Sequence, residues 1–242
     1  MKIVIVIPVR YNSSRFPGKP LALINGIPML QRTYNKCREG FDGKILVATD
    51  SNKIFDFCKL NNIEVCLTSS KCITGTDRVA EVAENLDYDW IVNLQGDEPI
   101  FNSDDIKILT SYISNFDSYK VVTGYTQISN SDLFFSNQSI KVLLNDSDEL
   151  IYSSRAPIPG NKTSAFVSGY RHVPIYAFRN NILKDFKSNK KSYIESIEDI
   201  ELIRFLEKGI KIKMIKMSDQ SIPVDNLEDI TKVEKVLKNK YN

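Results

Sequence analysis

Four short, uninterrupted apolar runs in the first hundred residues constrain the fold of this 242-residue chain more than any other feature. They are rich in β-branched side chains, which is typical of strands covered on both faces of a parallel sheet. Amphipathic patterns between them predict helices at 28–38, 52–60 and 76–86. This alternation predicts right-handed crossovers and an α/β fold whose ligands bind beyond the carboxyl ends of the strands. The runs are Lys2–Ile7, Lys44–Ala48, Ile63–Leu67 and Trp90–Leu94.

The second half of the chain combines strand-like runs with turn-rich segments and ends in helical patterns. A loop at 156–168 contains Pro157, Pro159 and Gly160 and is predicted to be mobile. No internal repeat, low-complexity tract or clean linker interrupts the pattern, so we predict one mixed-sheet domain with an inserted β-rich lobe. The predicted strands are 119–126, 141–145, 150–153, 173–178 and 211–215, and the predicted helices are 181–186, 194–206 and 227–238.

The charge balance and the cysteine pattern exclude several classes of protein. Lys and Arg total 32 against 30 Asp and Glu, a net charge of +2, whereas a dedicated nucleic-acid binder carries a clear basic excess. No apolar run approaches the roughly 20 residues that span a bilayer. Pro8 and Arg10 end the N-terminal apolar stretch, so no signal peptide is expected. The four cysteines lack metal-binding spacing and His172 is the one histidine, so we expect no zinc site, reduced thiols and a cytoplasmic location.

The loop Ile7–Leu21 follows the first predicted strand and is rich in cations. Backbone N–H groups beyond the carboxyl end of a strand can, together with cations, surround a triphosphate of charge about −4. Gly18 would allow the backbone to approach a ligand closely. The spacing differs from the GxxxxGK[ST] of P-loop ATPases, and a solvated basic loop is the alternative. The polar side chains concerned are Arg10, Ser13, Ser14, Arg15 and Lys19.

Two aspartates are candidates for binding Mg²⁺, which phosphoryl and nucleotidyl transfer require to neutralise phosphate charge. Asp97 stands three residues beyond the predicted strand that ends at Leu94, at the sheet edge that carries the basic loop. Asp225 follows the predicted strand 211–215 and precedes the last helix. The alternatives are a turn-stabilising role for Asp97 and a helix cap for Asp225. Glu98 is adjacent to Asp97, but neighbouring side chains usually diverge.

Six motifs in order resemble those of the 3-deoxy-D-manno-octulosonate cytidylyltransferases. Residues 7–21 match the family pattern IPARYxS[ST]R[LF]PGKPL except at Val9, and residues 92–99 read VNLQGDEP, a complete match. The resemblance runs from residue 2 to about residue 235. It implies a Rossmann-like nucleotidyltransferase core with a mixed, mainly parallel sheet. The other motifs are VATD (47–50), TGTDR (74–78), YSSRAPIP (152–159) and RHVPIYAFR (171–179).

The resemblance implies that CTP reacts with a 3-deoxy-2-ulosonic acid (Kdo) to give a CMP-sugar and pyrophosphate, with Mg²⁺ as cofactor. It also implies a homodimer. The single domain, 1–242, would have a nucleotide-binding part over about 1–118 and a sugar-binding and dimerisation part over about 119–225. The implied triphosphate ligands are Arg10, Ser14, Arg15 and Lys19; Thr74, Gly75 and Arg78 lie where the pyrimidine is read; Gln95 lies between nucleotide and sugar; Asp97 and Asp225 bind Mg²⁺; and Arg155, His172, Tyr176 and Glu198 line the sugar pocket. The catalytic residues would be Lys19, Asp97 and Asp225.

Three departures from the family pattern concern the identity of the sugar. Leu202 stands where the pattern ExLEQLR has a glutamine, Ser153 replaces an aromatic residue and Pro174 replaces a glycine. If that glutamine faces the pocket, its loss leaves a polar partner unpaired, at a cost of about 1–3 kcal/mol, and changes sugar preference. Two of the implied sugar-pocket residues have alternative roles. His172 could instead make a structural hydrogen bond, and Tyr176 could pack in the core.

The alternative substrates are a modified ulosonic acid such as 8-amino-Kdo, or another acidic sugar. A role in lipopolysaccharide or capsule assembly would follow only if the substrate is Kdo. In a different class, the chain would be a non-catalytic nucleotide-sugar-binding protein. The complete basic loop, together with Asp97 and Asp225, argues against that class.

Overall fold

A nine-stranded mixed sheet forms the centre of the molecule. The computed structural model describes residues 1–12, 16–116, 118–186 and 190–240. The strands in these residues are β1 (Ile3–Val9), β2 (Leu23–Ile24), β3 (Ile27–Pro28), β4 (Lys44–Thr49), β5 (Val65–Leu67), β6 (Trp90–Leu94), β7 (Val121–Gln127), β8 (Lys141–Leu144), β9 (Leu150–Ser154), β10 (Tyr170–Arg179) and β11 (Ile212–Lys216). The helices are α1 (Met29–Gly40), α2 (Asn52–Leu60), α3 (Gly75–Ala83), α4 (Ser103–Asn115), α5 (Ser131–Phe135), α6 (Asn180–Phe186), α7 (Tyr193–Glu198), α8 (Leu202–Glu207) and α9 (Leu227–Lys240), with a 3₁₀ turn at Lys19–Leu21.

The strand order across the main sheet is β11-β7-β10-β6-β1-β4-β5. Strand β1 pairs in parallel with β4 and β6, β4 pairs in parallel with β5, and β11 pairs in parallel with β7. Strand β10 runs antiparallel between β6 and β7, and the β8–β9 hairpin pairs with its first residues. The predicted α/β fold with a mixed, mostly parallel sheet is confirmed. The β8–β9 hairpin extends the same sheet beside β10.

Alternate residues of β1 enter two different hydrophobic clusters, one on each face of the sheet. Val4 and Val6 pack with side chains of α3, whereas Ile5 and Ile7 pack with side chains of α1. All four are fully buried. Burying such a side chain stabilises a fold by about 1.5–3 kcal/mol. Helices on both faces therefore explain why this strand reads as one continuous apolar run.

The helical segments differ from the predictions in two places. The predicted helix 194–206 is two helices, because Asp199 adopts a left-handed backbone with φ 54° and ψ 47° between α7 and α8. The Arg155 side chain donates to the carbonyl oxygens of Glu198 and Asp199, at 2.7 and 3.0 Å, and so satisfies acceptors at the break. Helices α4 and α5 have no predicted counterpart. The other predicted elements are present, with ends displaced by a few residues.

Among the described residues, no helix has the length and apolar character that crossing a membrane requires. Cys37 and Cys58 are buried, and Cys66 and Cys72 are partly exposed. Burial raises the pKa of all four thiols, to about 12 for Cys58 and about 11 for Cys72. The thiols are therefore protonated at neutral pH.

Candidate active site

The loops that follow β1 and β6 meet at the carboxyl edge of the sheet, because these two parallel strands are neighbours. Gly96 makes the contact possible: a Cβ atom there would lie 2.8 Å from Cγ2 of Val9 and 3.0 Å from the carbonyl oxygen of Pro8. A cavity of about 200 Å³ opens at this edge. Its lining includes Arg10, Lys19, Gly75, Gln95 and Asp97.

Lys19 lies between the two predicted metal ligands. Its Nζ is 2.9 Å from Oδ2 of Asp97 and 3.7 Å from Oδ1 of Asp225, and it also donates to the carbonyl oxygen of Val224 at 2.6 Å. The Lys19 side chain is 11% exposed, against 34% for Asp97 and 28% for Asp225. One cation therefore offsets two partly solvated carboxylates at the edge of the cavity. The structure thus brings the three predicted catalytic residues together.

Helix α9 is capped by residues other than Asp225. Oδ1 of Asn226 accepts from the backbone N–H of Asp229 at 3.2 Å, and Oδ2 of Asp229 accepts from the N–H groups of Asp225 and Asn226 at 3.0 and 3.1 Å. These reciprocal bonds satisfy N–H groups at the start of the helix. Asn226 and Asp229 therefore have the capping role that was the alternative for the Asp225 side chain. The Asp225 carboxylate lies 3.7 Å from the Lys19 ammonium group.

The start of α3 lies against the cavity. Thr74 and Asp77 form a capping box, in which Thr74 N–H donates to Asp77 Oδ2 at 3.0 Å and Asp77 N–H donates to Thr74 Oγ1 at 3.1 Å. The next residue, Gly75, has no Cβ, and one placed there would lie 3.3 Å from Oε1 of Gln95. The missing side chain therefore leaves room for Gln95 beside the helix start, and these three predicted nucleotide-site residues lie together.

The remaining predicted nucleotide-site residues differ in position. The Arg10 guanidinium lines the cavity and donates to the carbonyl oxygen of Cys72. Arg78 is fully buried, and its guanidinium is 2.9 Å from Oδ2 of Asp50. Arg78 is not among the described residues that line the cavity. Ser14 and Arg15 lie outside the described residues.

Arg155 and Glu198, both predicted for the sugar pocket, lie in one hydrogen-bonded group. Oε2 of Glu198 accepts from the backbone N–H of Arg155 at 2.9 Å, and Oε1 accepts from the Ser154 hydroxyl at 2.6 Å. Burial alone would raise the pKa of Glu198, but these bonds and one from Tyr152 lower it overall. The carboxylate is therefore ionised at neutral pH, and it fixes the end of β9 against the turn between α7 and α8.

His172 and Tyr176 are buried in the sheet, with their ring centroids 5.0 Å apart. The pairing of β10 with β7 shifts register between Val173 and Tyr176, so the strand is irregular at this point. The Thr123 hydroxyl donates to the carbonyl oxygen of Ile175 at 2.7 Å, so its oxygen accepts from Nε2–H of His172 at 2.9 Å. Neither ring is among the described residues that line the cavity. In this structure His172 makes a structural hydrogen bond and Tyr176 packs in the core, as the alternatives to a sugar-binding role predict.

Burial, reinforced by the neighbouring Arg171, lowers the pKa of His172 to about 3. The unfolded chain takes up a proton near pH 6.5, whereas the folded chain does not, so stability is lost as the pH falls below 6.5. Between pH 7 and pH 5 this group alone should cost about 2 kcal/mol. We expect the free energy of unfolding of His172→Asn, measured in urea at both pH values, to fall by about 2 kcal/mol less than that of the wild type. Equal losses in the two proteins would contradict a neutral, buried imidazole.

The sequence matches the cytidylyltransferase family model over residues 4–212. The 3-deoxy-manno-octulosonate cytidylyltransferase of Christiangramia forsetii is 39% identical over 241 residues, which cover 98% of this chain and 97% of that protein. The protein of the same name from Protochlamydia amoebophila is 38% identical over 245 residues, covering 98% and 94%. The chain belongs to the cytidylyltransferase family.

Two solved structures are similar in fold to this cytidylyltransferase. CMP:2-keto-3-deoxy-manno-octonic acid synthetase, solved in complex with CTP, superposes with a TM-score of 0.91 at 31% identity, over 99% of this chain and 100% of that one. HddC from Yersinia pseudotuberculosis superposes with a TM-score of 0.71 at 14% identity, over 98% and 100%. The second match shows the fold alone.

Two buried carboxyl groups beside the site of this cytidylyltransferase have partners that the sequence did not predict. Glu201 accepts from the backbone N–H groups of Gly75 and Thr76, at 3.1 Å each, and burial raises its pKa. Glu98 points away from Asp97, as expected for adjacent side chains, and accepts from the hydroxyl of Ser221. Burial, followed by the charge of Asp97, raises the pKa of Glu98 to about 8. The motifs that contain both residues were visible in the sequence, but their partners were not.

Proposed function

We propose that the protein transfers a cytidylyl group from CTP to the anomeric hydroxyl of 3-deoxy-manno-octulosonate and releases pyrophosphate, with Mg²⁺ held by Asp97 and Asp225. The observation that carries the proposal is the position of Lys19, whose ammonium group contacts both aspartates at the mouth of a cavity that Arg10 and Gln95 also line. Family membership and the match to a CTP-bound synthetase support the same chemistry.

The residues at this position fit a magnesium ion. Asp97 and Asp225 supply carboxylate oxygens, the ligands that Mg²⁺ prefers, and an ammonium group already lies between them. Mg²⁺ commonly uses one or two carboxylates and completes its coordination with water and substrate phosphates. When bound, the ion would neutralise phosphate charge and lower the pKa of a coordinated hydroxyl.

The protein's own residues position the reactants and offset charge. Lys19 and Arg10 carry positive charge at the cavity and would stabilise the negative charge that develops on the departing pyrophosphate. Gln95 lies beside Gly75 at the start of α3 and would separate the nucleotide from the sugar. The Arg155 guanidinium, the candidate partner for the sugar carboxylate, donates to the carbonyl oxygens of Asn137, Glu198 and Asp199, so it would bind the sugar by exchanging one of these bonds. In-line attack by the sugar hydroxyl needs no protein nucleophile, so positioning and electrostatics supply the catalysis.

The structure removes the argument for a modified sugar that the three departures from the family pattern had suggested. Leu202 is 1% exposed and packs in the hydrophobic core, so the side chain at this position does not face the cavity and the argument from a lost glutamine fails. Pro174 lies beside Glu98 in a separate small cavity. Ser153 is fully buried, and its hydroxyl has no hydrogen-bond partner among the residues that the structure describes. None of these three residues is therefore among the described residues that line the candidate active-site cavity.

The test of this function is pyrophosphate release from CTP, ATP, GTP and UTP with a panel of ulosonic acids, with and without Mg²⁺. We expect turnover with CTP and 3-deoxy-manno-octulosonate, dependence on Mg²⁺, and a product whose mass is that of the CMP-sugar. Faster turnover with 8-amino-Kdo at matched concentration would identify a modified sugar as the substrate. Binding of nucleotide without turnover of any sugar would support the non-catalytic alternative.

A homodimer and a cytoplasmic location complete the proposal. The apolar residues Val173 and Ile175 of β10 are each 4% exposed and belong to the core of one protomer, so they are not available as a dimer surface. Tyr193 and Ile197 on α7 are 78% and 67% exposed, so this helix is the better candidate surface. Sedimentation of the wild type and of Ile197→Asp tests it, because a charge in an apolar interface should shift the protein towards monomer.

A further inference from the structure

The segment 217–224, which we call the strap, connects β11 to Asp225. Its backbone is bonded to the sheet and to the loop after β6 at three points. Met217 N–H donates to the carbonyl oxygen of Tyr125 at 2.8 Å, Ile222 N–H to that of Ile100 at 3.3 Å, and Val224 N–H to that of Asp97 at 2.9 Å. The strap therefore runs alongside the loop that carries the other predicted metal ligand.

Two buried acidic side chains also hold the strap. Asp105, on the first turn of α4, is 2% exposed and accepts from the backbone N–H and the hydroxyl of Ser218 at 3.0 and 2.6 Å. Glu98 is 4% exposed and accepts from the hydroxyl of Ser221. Buried polar groups of this kind are costly unless they are paired, so both contacts resist displacement of the strap.

The contact between Glu98 and Ser221 lies closer to the site than the contact at Ser218. Glu98 directly follows Asp97, and Ser221 precedes Asp225 by four residues. This side-chain hydrogen bond therefore joins the loop that carries one aspartate to the strap that carries the other, in addition to the backbone bonds of Ile222 and Val224. The Lys19 ammonium group meets the same pair of segments from the cavity side, through its contacts with Asp97 and with the carbonyl oxygen of Val224.

We propose that Glu98 and Ser221 are positioning residues, whose hydrogen bond sets the separation of Asp97 and Asp225 for the divalent cation of the reaction. The inference rests on the proposed function. Because Mg²⁺ demands near-ideal octahedral geometry, a small displacement of one carboxylate weakens binding. Glu98 and Ser221 line a different cavity from the one that Lys19 lines, so their bond can constrain the two segments without occupying the site.

The chain offers a matched control and a conservative rescue. Ser218→Ala removes the same type of hydroxyl bond from the same strap, but farther from Asp225. Ser221→Thr keeps the hydroxyl, and a cavity of about 20 Å³ lined by Glu98, Asp105, Ser221 and Pro174 provides space for the added methyl group. Ser221→Ala removes the proposed contact alone.

The experiment measures Mn²⁺ binding in the presence of CTP by electron paramagnetic resonance, together with the thermal unfolding midpoint. We expect Ser221→Ala to raise the Kd for Mn²⁺ about tenfold, as the loss of one hydrogen bond to a charged or buried group would. Ser221→Thr and Ser218→Ala should stay within about threefold of the wild type. The midpoint should fall by similar amounts for the two alanine variants, because each loses one buried bond.

Two results would overturn the positioning role. An unchanged Kd in Ser221→Ala would show that the bond does not act on the metal site. An equal loss in Ser218→Ala would show that only the general stability of the strap matters. Failure of the wild type itself to bind Mn²⁺ with CTP is a different result, because it would contradict the proposed metal site and the positioning role together.

Discussion

Asp97→Asn is expected to lower kcat for pyrophosphate release by at least about 100-fold. A bound metal ion contributes several kcal/mol of charge stabilisation in the transition state, and each 1.4 kcal/mol corresponds to about a tenfold change in rate. The asparagine keeps the size of the side chain but removes the charge that Lys19 now contacts at 2.9 Å. The Lys19 ammonium would then pair with Asp225 alone, so both the metal ligand and the position of the cation would change.

The matched control is Asp104→Asn, on the first turn of α4. Asp104 is exposed and pairs with Lys107 at 2.7 Å, so the same substitution there should leave kcat unchanged within about twofold. The fold of both variants is checked by circular dichroism and thermal unfolding. A fully active Asp97→Asn protein would show that this carboxylate is not a metal ligand.

Arg204→Met is expected to lower the free energy of unfolding by about 3–5 kcal/mol, because it leaves buried carboxylates without their partner. Arg204 is 2% exposed and lies 2.7 Å from Oδ1 of Asp77 and 2.6 Å from Oε1 of Glu195. Its guanidinium also lies 3.9 Å from the centre of the Phe186 ring. Removing it strands two acidic side chains in the core. Since Asp77 also caps α3 through Thr74, the start of the nucleotide-side helix should loosen as well.

Urea unfolding at pH 7 measures this effect, with Lys208→Met as the control. Lys208 is exposed near the end of α8, and its ammonium donates only to the carbonyl oxygen of Asp185 among the contacts found in the described residues. The control should lose less than about 1 kcal/mol. A loss of the same small size in Arg204→Met would contradict a stabilising role for these two buried ion pairs.

The sequence allowed the sheet to be predicted because its physical signal is local. A strand such as β1 needs apolar side chains on both faces, so the run itself reveals its burial. The sequence of α4 also contains a local helix signal, although no helix was predicted there. Asn102 is a good N-cap residue, and Ile106, Leu109 and Ile113 are spaced to form one buried face. The break between α7 and α8 carries no comparable signal, since Arg155 holds that turn from another part of the chain.

The same distinction separates the predicted and the missed parts of the site. Asp97 could be predicted because it follows a strand, and parallel strands bring their carboxyl ends to one edge. The contacts of Glu201 with Gly75 and of Glu98 with Ser221 join residues far apart in the chain, so only the folded structure reveals them. His172 illustrates the converse, because a motif match pointed to the sugar while its hydrogen bond points to Thr123.

Mn²⁺ titration of the wild type and of Asp225→Asn, each with saturating CTP, tests the central claim most directly. If Lys19, Asp97 and Asp225 form one metal–nucleotide site, the wild type should bind Mn²⁺ in a CTP-dependent manner. The single loss of the Asp225 charge should then weaken that binding at least about tenfold, or 1.4 kcal/mol. Equal affinity in the two proteins, with CTP still bound, would contradict a metal site shared by the two aspartates.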